Sequence, residues 1–163
     1  MAKLIEQLKK QVKQLVTENE LRYLIGGSDA RRRNQIHRLI QKGVLIKLKR
    51  ELYCLGPEYR AHSLHPFHIA QFIYGPSYIS LESALSFHQL IPEAVKVITC
   101  VASKRNKSFN TSEGVFNYHK TPLANLYCQV KHYHNEDHQF LMAKPFKALC
   151  DYVYCYKKDY KSL

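Results

Sequence analysis

The stretch that decides the fold of the amino-terminal part runs from residue 17 to residue 43 and reads TENELRYLIGGSDARRRNQIHRLIQKG. Thr17 and Glu20 have the spacing of a capping box, in which each side chain binds the backbone of the other residue. Gly26 and Gly27 follow a short apolar segment and predict a helix end, because glycine accepts the left-handed conformation found there. The stretch therefore predicts a short helix, a tight break and a second helix.

The helix after the glycine pair is rich in arginine. We expect it to begin at Ser28 or Asp29, both good capping residues, and to run to about Lys42, just before a glycine. At roughly 100° per residue, one side of this helix is apolar and the other can form hydrogen bonds. The apolar side has Ile36, Leu39 and Ile40, and the opposite side has Arg31, Asn34, Arg38 and Gln41, with Gln35 on the flank.

The flanking segments complete a small module. Residues 3–16 carry apolar side chains at helical spacing and predict a first amphipathic helix that ends at Thr17. After Gly43 the apolar period changes to about two, which predicts two short strands joined by a basic turn. Three helices followed by such a hairpin predict a winged helix-turn-helix over residues 1–56, with Gly56-Pro57 as the domain boundary.

Positive charge is concentrated in this module. Residues 1–56 contain 13 lysines and arginines against 5 acidic residues, a net charge of +8 out of +12 for the whole chain. Such a concentration suits a phosphate backbone, although a merely solubilising surface has the same composition. Arginine can bind guanine edges, and asparagine or glutamine adenine edges, in the major groove. The residues expected to read bases are Arg31, Asn34, Gln35 and Arg38, and those expected to hold phosphates are Arg32, Arg33, Lys47, Lys49 and Arg50.

Residues 57–163 predict a second, mixed α/β domain, so that the whole chain is of the α+β class. Helices are expected from His65-Pro66, over residues 81–88 with Ser80 as the cap, and from Pro145. Strands are expected over residues 96–101, 115–118, 127–133 and 139–142.

Several segments of this second part resemble the AbiEi family, the antitoxins of the bacterial AbiE toxin–antitoxin systems, which are classed as type IV. The resemblance rests on PSYISLESALSFHQLIPEAVKVITCVASKRNKSFNTSEGVFNYHK (residues 76–120) and MAKPFKALCDYVY (residues 142–154), which follow the predicted wing. The segment Ser80–Leu85, with Ile91-Pro92-Glu93 after it, is its most specific part.

The resemblance implies two activities. The winged helix would bind the promoter and repress its own operon. The second domain would oppose a partner toxin, a nucleotidyltransferase-like enzyme, without forming a stable complex with it. The chain departs from the family pattern at Glu51, where a glycine is common in the wing, and at Phe146, where an acidic residue is usual. The family also tends to continue past the last helix, so we expect either that the carboxy-terminal domain is truncated at residue 163 or that the chain is a shortened regulator that has lost antitoxin activity.

Other site types have weaker support. Five cysteines without CxxC spacing favour reduced thiols in the cytoplasm over disulfides or a zinc site. The clusters His62, His65, His68 and His132, His134, His138 lack acidic or cysteine partners at a known metal spacing, so we expect no metal and no cofactor. Glu82 with Ser83 reads as a helix start, and Lys147 with Asp151 as a surface pair, so we expect no catalytic residues and no enzyme activity. No apolar run is long enough to span a membrane.

Two alternatives to DNA binding remain at the level of sequence. The chain could be a protein-interaction module without antitoxin activity, or a metal-dependent nuclease, for which no acidic cluster is visible. Lys104, Arg105 and Lys107 form a second basic cluster, expected in a loop after a strand, that would extend a DNA footprint, meet an acidic partner or be simply solvated.

Overall fold

The computed structural model describes residues 2–9, 14–122, 126–134 and 138–157. Within these ranges the chain is of the α+β class, with six α-helices and two β-sheets. It divides into two compact units, Met1–Leu64 and His65–Leu163. This division lies a few residues after the boundary expected at Gly56-Pro57.

The first unit contains three helices and a three-stranded antiparallel sheet. The sheet has the order β1-β3-β2, so the amino-terminal strand pairs with the second strand of the hairpin. A single 3-10 turn, Pro57–Tyr59, follows the sheet. In chain order the elements are α1 (Ala2–Lys9), β1 (Leu15–Thr17), α2 (Glu18–Ile25), α3 (Asp29–Gln41), β2 (Leu45–Lys49) and β3 (Leu52–Leu55).

The expected first helix over residues 3–16 is wrong in its last part. Leu15 and Val16 lie in a strand, opposite Cys54 and Tyr53 of β3, and residues 10–13 lie outside the described residues. Apolar residues at adjacent positions fit a helix or a strand equally well over so short a segment. Here the backbone hydrogen bonds of β3 decide in favour of the strand, while both side chains remain buried.

A close approach of two backbone segments ends this sheet. The amide of Gly56 donates to the carbonyl oxygen of Val44 at 2.9 Å. A Cβ atom at Gly56 would overlap the carbonyl oxygen of Gly43. Glycine at position 56 therefore joins the end of β3 to the turn after α3, and the surrounding core is apolar, with Leu21, Leu39, Leu45 and Leu55 at its centre.

The second unit is built on a six-stranded mixed sheet with the order β6-β7-β5-β4-β9-β8. The pairs β4–β9 and β5–β7 are parallel, and the other three are antiparallel. Its elements are α4 (Pro66–Ile73), β4 (Ser77–Ile79), α5 (Leu81–Phe87), β5 (Val97–Ala102), β6 (Lys107–Thr111), β7 (Gly114–Lys120), β8 (Val130–His134), β9 (Gln139–Ala143) and α6 (Pro145–Tyr156).

Most of these elements agree with the sequence predictions, but β4, β6 and β8 differ, and no strand was expected where β4 lies. Lys107, expected in a loop, begins the edge strand β6, whose polar sequence KSFNT hides its pairing with β7. The strand expected from Tyr127 begins only at Val130, because residues 126–129 form a turn. A short edge strand with little apolar content has no clear period, so sequence alone gives it no signal.

Candidate nucleic-acid interface

The link between α2 and α3 is fixed by local hydrogen bonds, as the sequence predicts. The side chain of Glu20 accepts from the amide of Thr17 at 2.7 Å, and Thr17 Oγ1 accepts from the amide of Glu20, which completes the capping box. Gly26 ends α2 with φ 64° and ψ −176°, a backbone conformation that glycine adopts and other residues rarely do. Ser28 caps α3 by accepting from the amide of Arg31 at 3.4 Å. Two helices therefore meet across a three-residue turn.

The third helix presents an apolar side to the core and a polar side to solvent. Ile36 and Leu39 are buried, and Ile40 packs against the same core. The exposed residues of this helix include Arg31, Arg33, Asn34, His37, Arg38 and Gln41, and Gln35 is half-buried. The side chain of Arg31 also lies over Gly27, where a Cβ atom would be 3.0 Å from its Cδ. The expected outward placement of Arg31, Asn34 and Arg38 is therefore observed.

Arg32 differs from its arginine neighbours. At roughly 100° per residue it falls between Leu39 and Ile36 around the helix, on the side that faces the core. It is half-buried and forms an ion pair with Asp29, and its Nε is enclosed without a hydrogen bond to any described residue. The hydrogen bond from Arg32 lowers the pKa of the Asp29 carboxyl. This guanidinium is thus already engaged in holding the first turn of α3.

The hairpin after α3 carries exposed cations. Lys47 and Arg50 are exposed, and Lys49 is half-buried. Glu51, which lies in the turn between β2 and β3, has φ 63°. This left-handed conformation usually favours glycine, which the sequence does not have here. Its carbonyl oxygen accepts from the amide of Glu18 at 3.0 Å, which ties the turn to the start of α2. The hairpin is therefore anchored to the helix pair of the same unit.

Two exposed residues of this unit were not among the sequence candidates. Tyr23 on α2 is 89% exposed, the largest exposed fraction among the large apolar and aromatic side chains described. His37 lies on the polar side of α3 between Asn34 and Gln41. The sequence did not indicate that Tyr23 is exposed. It lies within an apolar segment, and the helical period is equally compatible with a position at the edge of the core.

A buried polar network lies in the second unit, and it corrects two sequence expectations. Ser80 precedes α5, but its hydroxyl makes no capping bond and donates instead to Asp151 Oδ2 at 2.7 Å. Asp151 is buried, so its 2.9 Å ion pair with Lys147 is not a surface pair. Tyr78 also donates to Asp151 Oδ2, at 2.8 Å, and burial raises the pKa of this hydroxyl, which keeps it a donor. Contacts of α6 with Tyr78 in β4 and with Ser80 at the start of α5 decide these roles.

Histidines from both sequence clusters come together in the second unit. The rings of His65 and His68 each lie 5.7 Å from the ring of His138. Nδ1 of His65 accepts from the amide of Phe67 at 3.2 Å, and Nδ1 of His68 lies 2.9 Å from the carbonyl oxygen of Gln139. Among the residues that the structure describes, no group of three or more His, Cys, Asp or Glu side chains is placed to hold a metal ion.

No protein-family model and no curated protein matches the chain. Within the described ranges, none of the helices combines the length and apolar character needed to cross a membrane.

Proposed function

We propose that the chain is a DNA-binding transcriptional regulator whose first unit is a winged helix. The order α1-β1-α2-α3-β2-β3, with a three-residue turn between α2 and α3, is the order expected of that fold. The observation that carries the proposal is the polar side of α3. Arg31, Asn34 and Arg38 are exposed opposite a buried apolar side, and an anchored basic hairpin follows.

The physical basis is the match between this helix and the major groove. An α-helix with its side chains is about 10–12 Å across, and the groove of B-DNA is about 12 Å wide. Arg31 and Arg38 would donate two hydrogen bonds each to guanine O6 and N7, and Asn34 would pair with adenine. Lys47 and Arg50 would neutralise phosphates and fix the register, without reading sequence themselves.

The ion pair between Arg32 and Asp29 reduces the number of arginines on α3 that are available to contact DNA. Arg33 is exposed and stays a candidate for a phosphate contact, whereas Arg32 is half-buried and would have to leave both the core side of α3 and its ion pair with Asp29 to make one. We therefore propose that Arg32 positions the start of α3 and that its neighbours touch the DNA.

The double variant Arg31→Ala/Arg38→Ala tests base reading on the DNA upstream of the chain's own gene. Each lost arginine–guanine pair costs about 1–3 kcal/mol, so specific affinity falls by roughly 30-fold or more. Mobility shifts at fixed salt measure this effect, with thermal unfolding to establish that the fold is intact. Lys131→Gln/Lys144→Gln removes the same charge from exposed positions of the second unit and is the matched control.

The hairpin cations give a different signature. Lys47→Gln/Arg50→Gln weakens specific and non-specific binding alike, and lowers the slope of log K against log salt by about 0.9 for each lost phosphate contact. Equal affinity of the Arg31/Arg38 variant and the unaltered chain would overturn the base-reading role. Equal losses of DNA affinity in that variant and in its matched control would show that binding depends only on the net charge of the chain.

The antitoxin role is the second part of the proposal and rests on the resemblance to the AbiEi family. Its most specific segment, Ser80–Leu85, forms part of the interior of the second unit. Thr99 exchanges hydrogen bonds with Ser83, at 2.9 Å and 2.8 Å, and donates to the carbonyl oxygen of Ser80 at 2.9 Å. Buried side chains of this kind support the fold, so contacts with a partner would come from other residues.

Co-expression tests this role. A nucleotidyltransferase-like reading frame next to the gene is expected to arrest growth when expressed alone, and the chain is expected to restore growth without co-purifying with the product. The Arg31→Ala/Arg38→Ala variant should still restore growth, because the second unit is unaltered. Continued arrest in the presence of the folded, unaltered chain would contradict the antitoxin role.

A further inference from the structure

A cleft of about 750 Å³ in the second unit is lined by cations from three separate elements. Arg105 comes from the β5–β6 connection, Lys120 from the end of β7, and Lys157 from the end of α6. Among the described residues, no carboxylate lines this cleft or forms an ion pair with any of the three. Its other lining residues are Asn106, His119, Val153, Tyr154 and Cys155.

Two titratable residues that line the cleft, Cys155 and His119, add no negative charge to offset the three cations. Burial raises the pKa of the Cys155 thiol to about 11, so it adds no negative charge near neutral pH. Burial also lowers the pKa of His119, with Glu82 acting in the opposite direction, so this imidazole is a neutral hydrogen-bonding group. Three cations that converge on one cleft attract anions more strongly than the same cations spread over an open surface.

The segment that presents Arg105 is held in place before any ligand arrives. The amide of Arg105 donates to the hydroxyl of Tyr74 at 3.4 Å, and Asn106 Oδ1 accepts from the amide of Lys120 at 2.6 Å. The ammonium groups of Lys104 and Lys107 lie 5.8 Å and 5.6 Å from the centre of the Tyr74 ring. These contacts explain the basic cluster of residues 104–107 as an anchor that leaves Arg105 facing the cleft.

The need to keep an edge strand from pairing with another chain does not explain why the three cations lie together. Lysine on an edge strand such as β6 discourages pairing with another chain, and this reading suffices for Lys107. It does not explain why Arg105, Lys120 and Lys157 line one cavity, since they come from different elements and Lys120 lies on the inner strand β7.

We propose that this cleft binds a nucleoside di- or triphosphate. The phosphates are negatively charged and would balance the three cations, and a guanidinium can bind two phosphate oxygens at once. Tyr154, which is 58% exposed at the same cleft, offers a face on which a base can stack. The volume lies in the range of small-molecule sites, about 300–1,000 Å³, and a duplex contact would need no such cavity. The proposal is independent of DNA binding by the first unit.

Calorimetry with the full chain tests the cleft, using ATP, pyrophosphate and adenosine at constant ionic strength. We expect ATP and pyrophosphate to bind and adenosine not to bind. Arg105→Gln/Lys120→Gln should weaken ATP at least about tenfold, since each charge-assisted bond contributes several-fold to affinity. Lys131→Gln/Lys144→Gln, which removes the same charge outside the cleft, should stay within about twofold. Thermal unfolding of both variants checks the fold.

A third variant separates phosphate from base recognition. Tyr154→Ala should weaken ATP about fivefold or more and leave pyrophosphate unchanged. Equal losses in the two charge variants, or no binding of ATP at millimolar concentration, would overturn the proposal. Tighter binding of a single-stranded oligonucleotide than of ATP, lost in Arg105→Gln/Lys120→Gln, would also overturn it and assign the cleft to a nucleic-acid backbone. The Arg31→Ala/Arg38→Ala variant should bind ATP normally, so the two proposals fail separately.

Discussion

The two compact units use their polar side chains differently. Of the eight buried polar side chains in the described part of the chain, only Gln14 belongs to the first unit, and the other seven lie in the second. The first unit has an apolar core and keeps most of the charges of α3 and the hairpin in solvent. The second unit encloses a carboxylate, several hydroxyls and an imidazole. Polar side chains therefore lie mainly at the surface of the first unit, whereas the second unit also uses them inside its fold.

Gly56→Ala is expected to have the largest effect and to act on the first unit. The added Cβ would overlap the carbonyl oxygen of Gly43, and neither backbone segment can move without breaking the 2.9 Å bond from Gly56 to Val44. We expect a loss of on the order of 4–5 kcal/mol in the free energy of unfolding. Hydrogen exchange should show the loss within residues 1–64. Gly75→Ala, where a Cβ meets only ordinary contacts, should change stability by less than about 1 kcal/mol.

Asp151→Ala should have the next largest effect and act on the second unit. It removes the acceptor of Tyr78 and Ser80 and leaves Lys147 without its partner. Breaking such a buried pair costs about 3–5 kcal/mol. Asp151→Asn retains one acceptor oxygen and should cost less. Urea unfolding measures the free energy of unfolding of both variants. A loss of less than about 1 kcal/mol for Asp151→Ala would contradict the conclusion that enclosed polar groups stabilise the second unit.

The smallest expected effect is a dependence of the stability of the second unit on pH. Burial, together with the neighbouring imidazoles, lowers the pKa of His65, and burial likewise lowers that of His68. The unfolded chain therefore takes up protons first, at about pH 6.5, and stability is complete above that value and decreases as the pH falls through it. Each imidazole contributes at most about 1.4 kcal/mol per pH unit.

His65→Asn isolates this effect. Asparagine keeps an acceptor at the start of α4 but does not titrate, so the loss of stability between pH 7.5 and 5.5 should become smaller. Urea unfolding at the two pH values measures the change. A pH dependence that is the same in the variant and in the unaltered chain would exclude His65 as a source.

Local signals in the sequence predicted much of the first unit correctly. The Thr17–Glu20 capping box, the glycine break and the Ser28 cap involve residues within a few positions of each other, so the chain needs no distant partner to form them. The same holds for the outward placement of Arg31, Asn34 and Arg38, which follows from helical period and from the burial of Ile36 and Leu39.

What depends on distant contacts could not be predicted from the sequence. Leu15 and Val16 became a strand because β3 supplies their hydrogen bonds, from residues almost 40 positions away. Ser80 and Asp151 lie 71 positions apart in the chain, and each alone has a more ordinary local role as a cap or a surface partner. The basic cleft likewise joins Arg105, Lys120 and Lys157, which no spacing connects.

The sequence by itself determined the helix ends, the outward side of α3 and the concentration of charge in residues 1–56, because each depends on neighbours in the chain. Only the tertiary structure decided that Asp151 is enclosed. Lys147 and Asp151 read as a surface pair, and contacts with Tyr78 and Ser80, more than 70 positions away, turn the carboxylate inward. The physical reason is that burial depends on the elements that cover a residue, and those elements come from elsewhere in the chain.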